Sequence, residues 1–514
     1  MADQQAFANS ISTGYSFQGE NFLLGVSMLD GKLVKGSNVY LPLKTMNRHG
    51  LIAGATGTGK TKTLQVIAEG LSDASVPVLL MDIKGDLSGI AAAGELNDRI
   101  KERYENAGIV YKPSAYPSEL LSLSVENGVR LRSTVIEFGP ILISRILSLN
   151  DTQEGVVSMI FKYCDDNKMA LLDLKDFIKV LQYISNEGKK EIEASYGKIS
   201  TTSTGTILRK VIELQQQGAD LFFGEPSFEV EDLLRIADDG RGMVNILRVT
   251  DMQNRPKLFS TFMLSLLAEL YATLPEEGDM DKPKLVLFID EAHLVFQEAT
   301  AALLQQIETV IKLIRSKGVG IFFITQNPQD IPASILSQLG LKVQHALRAF
   351  TAADRKTIKM AAENYPETKF YEVDELLTGL GIGEALVTLL NEKGIPTPLV
   401  HTMLLSPHSR MDILTKDEME KIVDHSALTK KYNVVVDSES AYEILTRKLE
   451  QASIQEKVEQ EQKEEEKPKR AVKEKSIFDN SAVKQATRTA TSIITRSLLG
   501  ALGLSGRSKR KSLF

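Results

Sequence analysis

Residues 50–65 read GLIAGATGTGKTKTLQ, and this stretch decides the fold class. It contains the pattern G-x-x-x-x-G-K-[ST] at residues 54–61, between an apolar run and a helical pattern. Small residues in such a loop let backbone N–H groups surround phosphates, and the following helix directs its positive end toward the anion. Lys60 would reach the β- and γ-phosphate oxygens, and the Thr61 hydroxyl would bind Mg²⁺. The predicted nucleotide-binding residues are Gly54, Ala55, Thr56, Gly57, Thr58, Gly59, Lys60, Thr61 and Lys62.

Short apolar runs rich in Val, Ile and Leu recur along the chain and alternate with helical patterns. Strands of this kind are typical of a parallel sheet that is covered on both faces. The sequence therefore predicts an α/β fold with a three-layer core and a mostly parallel sheet. The runs are HGLIAG (49–54), VPVLLMD (76–82), MVNILRV (243–249), KLVLFID (284–290), VGIFFIT (319–325) and, more weakly, KVQHALR (342–348) and EALVTLL (384–390).

The spacing of these runs divides the chain into segments. Few strand-like runs occur between the second and third strands, where helical periodicity predominates instead. Residues 456–475 hold 14 charged side chains, seven of each sign, which favours a solvated helix or a disordered linker. The predicted segments are a short N-terminal β segment (1–45), a P-loop ATPase core (46–94 and 236–410), a mostly helical insertion (95–235), a helical extension (411–455), a charged linker (456–483) and a basic amphipathic tail (484–514).

The composition narrows the class of protein. Seven basic and no acidic residues lie in 484–514, so the rest of the chain carries 54 basic and 67 acidic side chains, a net charge of −13. Any contact with nucleic acid is therefore expected to be local, in a pore or in the tail. The most apolar stretch, LFSTFMLSLLAELYATL, is interrupted by Glu269 and predicts a buried helix rather than a membrane span. A single cysteine, Cys164, and an amino terminus without signal-peptide features indicate the cytoplasm.

Two carboxylates end one of the apolar strands. In KLVLFIDEAH, Asp290 lies where a carboxylate at the edge of a parallel sheet can hold Mg²⁺, and Glu291 is suited to act as the general base for a water molecule. A base that activates water indicates hydrolysis rather than transfer to a small acceptor. The other interpretation is a strand that ends in two helix-capping acids.

Other polar residues close to neighbouring strands give weaker indications of a functional role. Gln326 could sense the γ-phosphate or orient water, or it could only cap its strand. Arg315 and Arg348 could each reach the nucleotide of a neighbouring subunit as an arginine finger, although a lone arginine more often forms a surface salt bridge. The stretch MDIKGDLSG (81–89) could line the nucleotide or a conduit, or only form a turn. His49 and His293, close to these motifs, are interpreted as structural or supporting residues.

In this order, the motifs resemble the HerA-like branch of the FtsK–HerA family of RecA-fold motor ATPases. The residues that carry the resemblance are NRHGLIAGATGTGKTKTLQ, MDIKGDLSG, LVLFIDEAH, RSKGVGIFFITQNPQDIP and LGLKVQHALRAF. The chain also resembles a bacterial group of HerA-like ATP-binding proteins with a helical insertion. The resemblance implies a RecA-like P-loop fold and hexameric rings that hydrolyse ATP between subunits and pull duplex DNA through a pore.

The resemblance also implies roles for single residues. Lys60 and Thr61 would hold ATP and Mg²⁺, Asp290 the metal and Glu291 the water, while Gln326 would sense the γ-phosphate. Arg348 would act across the subunit interface.

Three hypotheses about function are thus left open: a DNA-translocating motor, an ATPase that acts on an unknown protein partner without DNA, and a nucleotide-switched binding module. In the last of these, the tail would dock on a membrane surface or a partner.

Overall fold

The structure, a computed structural model, describes residues 2–470 except 124–125, 252–254, 279, 297–300 and 435. The chain divides into two compact units, Met1–Leu445 and Thr446–Phe514. The predictions for the end of the charged linker and for the basic tail fall on residues 471–514, outside the described residues. No helix among the residues described is both long and apolar enough to cross a membrane.

The first unit is built on a sheet to which twelve described strands contribute. From one edge to the other the strands follow the order β2-β1-β12-β11-β10-β3-β9-β8-β4-β7-β5-β6. The strands are β1 (Asn21–Leu29), β2 (Lys32–Pro42), β3 (Gly50–Ala53), β4 (Val78–Asp82), β5 (Ser118–Ser122), β6 (Val129–Arg130), β7 (Val244–Arg248), β8 (Leu285–Ile289), β9 (Val319–Thr325), β10 (Leu341–Gln344), β11 (Glu384–Leu389) and β12 (Val400–Leu404).

The pairing divides this sheet into a parallel and an antiparallel part. The eight strands from β10 to β6 in the sheet order are parallel to their neighbours, whereas β2, β1, β12, β11 and β10 pair antiparallel. The predicted α/β fold with a mostly parallel sheet is confirmed. All residues of β3, β4, β8 and β9 are buried, which explains why their sequences are apolar without alternation.

The register places the phosphate-loop strand at the centre of the parallel part. Residue Ala53 at the end of β3 pairs with Thr325 of β9 on one side and with Gln344 of β10 on the other. Strand β9 then separates β3 from β8. The loops after β3, β8, β9 and β10 therefore all leave the sheet at the carboxyl ends of the parallel strands, where the candidate site lies.

The helices cover the sheet and form most of the predicted insertion. Residues 95–235 contain helices α3 to α8 but also strands β5 and β6, which extend the sheet beyond β7. Residues 1–45 begin with a helix before β1 and β2. The helices are α1 (Ala2–Gly14), α2 (Lys60–Asp73), α3 (Asp98–Ala107), α4 (Val135–Ile146), α5 (Asp151–Asp166), α6 (Leu174–Ser185), α7 (Lys189–Tyr196), α8 (Thr201–Gln216), α9 (Pro256–Thr273), α10 (His293–Phe296), α11 (Ala301–Ile314), α12 (Ala333–Leu336), α13 (Ala352–Ala362), α14 (Val373–Gly379), α15 (Lys416–His425), α16 (Ala427–Tyr432) and α17 (Ala441–Arg470).

Several of these helices begin where the sequence provides a cap. At the start of α5, the Asn150 side chain accepts a hydrogen bond from the backbone N–H of Gln153, and the Gln153 side chain accepts one from the backbone N–H of Asn150. Thr351 and Asp354 form the same reciprocal pair at the start of α13. Such pairs satisfy backbone donors that have no partner within the first turn of a helix.

Candidate active site

The phosphate loop joins the end of β3 to the first turn of α2. Three of its glycines have positive φ angles, 150° at Gly54, 77° at Gly57 and 113° at Gly59, a region in which L side chains are strained. The Lys60 ammonium donates hydrogen bonds to the carbonyl oxygens of Gly54, at 2.7 Å, and Ala55, at 3.0 Å. Lys60 is 6% exposed, and burial, together with the nearby Lys84, lowers its pKa. The loop therefore folds around its own lysine at the positive end of a 14-residue helix.

His345, which follows β10, lies against the phosphate loop and the first turn of α2. Its Nε2 lies 2.9 Å from Thr63 Oγ1, in the first turn of α2. A Cβ atom added at Gly54 would lie 2.5 Å from His345 Cβ, so only glycine fits at this point of the loop. Burial and the charge of Lys60 lower the pKa of His345 to about 4, so the ring is neutral at pH 7. No sequence motif predicted this role of His345.

A second segment that contacts the phosphate loop is held in place by an arginine of the insertion. Arg103 of α3 donates to the carbonyl oxygens of Ile382 and Gly383, at 3.0 and 3.2 Å, and to that of Leu404 at 2.9 Å. The backbone N–H of Gly383 in turn donates to the carbonyl oxygen of Thr58, at 3.0 Å. The insertion is thus connected to the phosphate loop through one guanidinium group.

The acidic pair at the end of β8 is buried beside the loop. Asp290 is 2% exposed and Glu291 is 8% exposed. Glu291 has a φ angle of 46°, which is uncommon for a residue with a side chain and is found where the surrounding structure imposes it. Its Oε1 lies 2.6 Å from Lys84 Nζ, and its Oε2 lies 3.2 Å from His293 Nδ1. Burial raises the pKa of Asp290, and the charge of Lys84 opposes that change.

The stretch MDIKGDLSG forms a turn and also lines the site. Asp82, at the end of β4, accepts hydrogen bonds from the backbone N–H groups of Gly85, Asp86 and Leu87 at 2.7, 3.1 and 3.2 Å. The turn brings Lys84 to the acidic pair and Asp86 to the loop, where Thr61 Oγ1 lies 3.4 Å from Asp86 Oδ2. The stretch therefore forms a turn, and the expectation that it lines the nucleotide or a conduit stays a prediction.

These residues fit a magnesium ion that would be bound partly by the protein and partly by the phosphates of a nucleotide. Asp86 Oδ1 is a buried oxygen with no hydrogen-bond partner among the described residues, and Asp290 Oδ2 has only the ion pair with Lys84 at 3.5 Å. In the described part of the chain, no group of three or more His, Cys, Asp or Glu side chains could hold a metal alone. Mg²⁺ is commonly bound by one or two carboxylates together with substrate phosphates and water. Thr61 and Asp290, with Asp86 nearby, match that donor set.

The remaining predicted site residues lie at different ends of the strands. Gln326 and Arg348 follow β9 and β10 at the edge that carries the phosphate loop, and both side chains are exposed. Arg315 is also exposed, but it precedes β9, at the opposite end of that strand. The Lys62 ammonium donates to Met411 O and Gln65 Oε1 at 2.5 and 2.8 Å. The roles of these four side chains stay predictions.

His49 has a structural position. Its Nδ1 accepts a hydrogen bond from the backbone N–H of Ile321, and its Nε2 lies 3.0 Å from the carbonyl oxygen of Ile311. The ring therefore carries its proton on Nε2 and joins the start of β3 to α11 and β9. Burial lowers its pKa to about 4, so it stays neutral.

The phosphate loop after β3, the Asp–Glu pair two strands away and the strand order define a RecA-like P-loop ATPase. Residues 28–510 match the family described as Helicase HerA-like C-terminal, and the chain belongs to that family. The resemblance seen in the sequence is thereby confirmed.

Two relatives of the chain are distant from it in sequence. The DNA double-strand break repair helicase HerA of Saccharolobus solfataricus is 22% identical over 390 residues, which cover 75% of this chain and 69% of that protein. The DNA import protein CedB of Sulfolobus acidocaldarius is 24% identical over 362 residues, which cover 70% of this chain and 52% of CedB. Among solved structures, the bacterial conjugative coupling protein TrwB aligns with a TM-score of 0.49 and 14% identity, over 77% of this chain and 97% of the TrwB chain.

Proposed function

We propose that this ATPase is a motor that translocates or remodels DNA with the energy of ATP hydrolysis. The observation that carries the proposal is the buried Asp290–Glu291 pair beside the phosphate loop, which suits hydrolysis of a nucleotide bound there. The family supports the DNA substrate, because its relatives include a repair helicase and a DNA import protein.

The proposed mechanism assigns each group one task. Lys60 neutralises charge on the β- and γ-phosphates, and the backbone N–H groups of residues 54–61 bind the same oxygens. Thr61 and Asp290 would hold Mg²⁺, which supplies positive charge to the phosphates. Glu291 accepts a proton from the attacking water. We assign this task to Glu291 because it is the second carboxylate after β8, and the first, Asp290, would hold the metal.

The proposal includes an assembly and a location. We expect a homo-oligomer, most simply a hexameric ring, in which Arg348 reaches the nucleotide of the adjacent subunit. Its exposure at the edge of the sheet that carries the phosphate loop supports this expectation. The cysteine content supports a cytoplasmic location.

Steady-state ATP hydrolysis with and without long duplex DNA tests the function. The assay is run at low and moderate salt, and Glu291→Gln serves as the inactive control. We expect DNA to stimulate hydrolysis, the stimulation to fade as salt rises, and the variant to lose activity in both conditions. Hydrolysis that requires Glu291 but does not respond to DNA at either salt concentration would contradict the DNA motor.

The second candidate function is an ATPase that acts on a protein partner. The net charge of −13 on residues 1–483 favours it, because an acidic surface repels a polyanion. The DNA-independent outcome of the same assay would support this candidate.

A further inference from the structure

Lys84 occupies a position that the proposed mechanism does not use. Its ammonium lies 2.6 Å from Glu291 Oε1 and 3.5 Å from Asp290 Oδ2. The Lys84 side chain is 37% exposed, whereas those of Asp290 and Glu291 are 3% and 10% exposed. A flexible, partly solvated cation thus approaches two buried carboxylates from the open side of the site.

The loop after β4 is built to present this cation. The three hydrogen bonds to Asp82 fix the backbone of residues 85–87, and Gly85 has a φ angle of 78° that closes the turn. Lys84 lies at the tip of the turn. Two adjacent buried carboxylates without a cation would be costly, because their charges repel each other and both lose hydration.

A divalent cation would bind to one of the same carboxylates when nucleotide is bound. Asp290 is the residue expected to bind Mg²⁺, and a second cation close to it would repel the Lys84 ammonium. The lysine stem is long and flexible, so the ammonium can move into solvent without a change in the backbone. Movement of Lys84 would also release Glu291 Oε1, the oxygen that it contacts.

We propose that Lys84 is a tethered counter-ion that neutralises Asp290 and Glu291 in the nucleotide-free protein and leaves them when the metal and nucleotide bind. Lys84 is then a positioning residue, since it keeps the general base engaged until the metal is in place. The inference rests on the ATPase site of the proposed function but is independent of DNA.

A metal titration without nucleotide tests this directly. Mn²⁺ binding is followed by electron paramagnetic resonance in the full chain without DNA, and Asp290→Asn identifies the signal from this site. We expect Lys84→Met to bind Mn²⁺ about fivefold more tightly than the wild type, because a competing charge has been removed. Lys84→Arg keeps the charge and should stay within about twofold of the wild type. Equal Mn²⁺ affinity in the wild type and Lys84→Met would overturn the proposal.

A matched control separates this effect from a general change in charge. Lys284, just before the same strand β8, forms an ion pair with Glu277 at the opposite end. Lys284→Met should leave Mn²⁺ affinity unchanged. If it tightens binding as much as Lys84→Met does, the effect comes from net charge and the proposal is wrong.

Nucleotide binding distinguishes a counter-ion from a phosphate ligand. For Lys84→Met we expect the Mg²⁺ concentration that half-saturates binding of a fluorescent ADP to fall about fivefold, with an unchanged ratio of affinities for ADP and a non-hydrolysable ATP analogue. A selective loss of affinity for the ATP analogue would show that Lys84 contacts the γ-phosphate, and the proposal would fail. These readouts require no hydrolysis and no DNA, so they fail or succeed separately from the DNA-stimulation assay. If Lys84→Met does not fold, a much tighter Mn²⁺ affinity in Lys84→Arg would also contradict the proposal.

Discussion

Glu69 is a buried carboxylate that connects α2, the helix after the phosphate loop, to the chain that follows β12. It lies on α2 and is 4% exposed. It accepts hydrogen bonds from the backbone N–H groups of His408 and Ser409, at 2.8 and 3.0 Å, and from the Ser409 hydroxyl at 2.5 Å. Burial raises its pKa to about 7, although the three hydrogen bonds oppose that change.

The raised pKa of Glu69 predicts a pH-dependent stability. Between about pH 4.5 and 7, the folded protein keeps a proton on Glu69 that the unfolded chain has lost, so the contribution of Glu69 to stability falls as pH rises through this window. We expect the free energy of unfolding of the wild type to fall, relative to that of Glu69→Gln, by on the order of 2 kcal/mol between pH 5 and pH 7.5. Chemical denaturation of both proteins across this range measures the difference.

A constant difference between the two proteins over that range would contradict the assignment. The neighbouring carboxylate Asp73 also has a pKa raised by burial, so Asp73→Asn is the control. The pH dependence should persist in that variant if Glu69 is its main source.

Two segments far apart in sequence hold α2 and the phosphate loop. Residues 406–412, which we call the strap, lie along α2 and contact Lys62, Gln65 and Glu69. Arg103 holds the loop at residues 382–383, which contacts Thr58. The nucleotide-binding element is therefore fixed both by the insertion and by the chain that follows β12.

The Arg103 contacts predict an effect of the insertion on nucleotide affinity. Arg103→Ala removes the guanidinium that bonds to three carbonyl oxygens, of which that of Gly383 also accepts from the Leu404 backbone N–H. The turn that contacts Thr58 is therefore less well fixed. We expect the Kd for nucleotide to rise about three- to tenfold, because a lost hydrogen bond to a charged donor is worth about 1.5–3 kcal/mol and only part of it reaches the loop. Equilibrium titration with a fluorescent nucleotide measures the change.

The control for this prediction lies on the same helix. Arg99 is exposed, one turn before Arg103, and Arg99→Ala should not change nucleotide affinity. Arg103→Lys should recover only part of the affinity, because an ammonium cannot span three acceptors as a guanidinium does. If Arg103→Ala lowers only the thermal stability and leaves the Kd unchanged, the connection to the loop is not functional.

The strands of the core were predictable from sequence because they are buried on both faces. Runs such as KLVLFID (284–290) and VGIFFIT (319–325) correspond to β8 and β9, and their polar ends place Asp290 at the site. The helix α1 was not predicted, although Phe7, Ile11 and Tyr15 recur every four residues and are buried in the structure. The helical spacing of these apolar residues was missed because the segment contains few apolar residues overall.

The short strands and the supports of the site were beyond sequence reasoning for a different reason. Strand β12 reads VHTML and is stabilised by its two antiparallel neighbours rather than by an apolar pattern. Arg103 and His345 act through contacts with residues about 280 positions away, and no local pattern encodes such contacts. The phosphate loop and the acidic pair could be found because their chemistry lies in short, contiguous motifs.

The proposed ring predicts complementation between subunits. Arg348→Ala and Glu291→Gln should each lower ATP hydrolysis at least about 100-fold, because an arginine finger is worth 10³–10⁵ and a general base 10²–10⁴ in rate. When the two variants are co-expressed, an intact Glu291 and an intact Arg348 meet at some interfaces. We therefore expect the mixed oligomer to hydrolyse ATP faster than the sum of the separate variants.

The same experiment compares the two candidate fingers. Arg315→Ala, combined with Glu291→Gln in the same way, tests whether Arg315 contributes across an interface. Mixed oligomers of Arg348→Ala that show no gain, despite verified co-assembly, would rule out Arg348 as a residue that acts on its neighbour.

The order of strands in the sheet also has a consequence for synthesis on the ribosome. Strand β3 pairs with β9 and β10, and β1 pairs with β12, so the phosphate-loop strand has no sheet neighbour until about 270 further residues have been translated. At 5–20 residues per second, that interval lasts roughly 15 to 55 seconds. During this time the apolar amino-terminal segment can be protected only by a chaperone or by transient contacts within the nascent chain. A truncated product that ends before residue 319 would thus carry the complete nucleotide-binding motif without the strands needed to hold it in place.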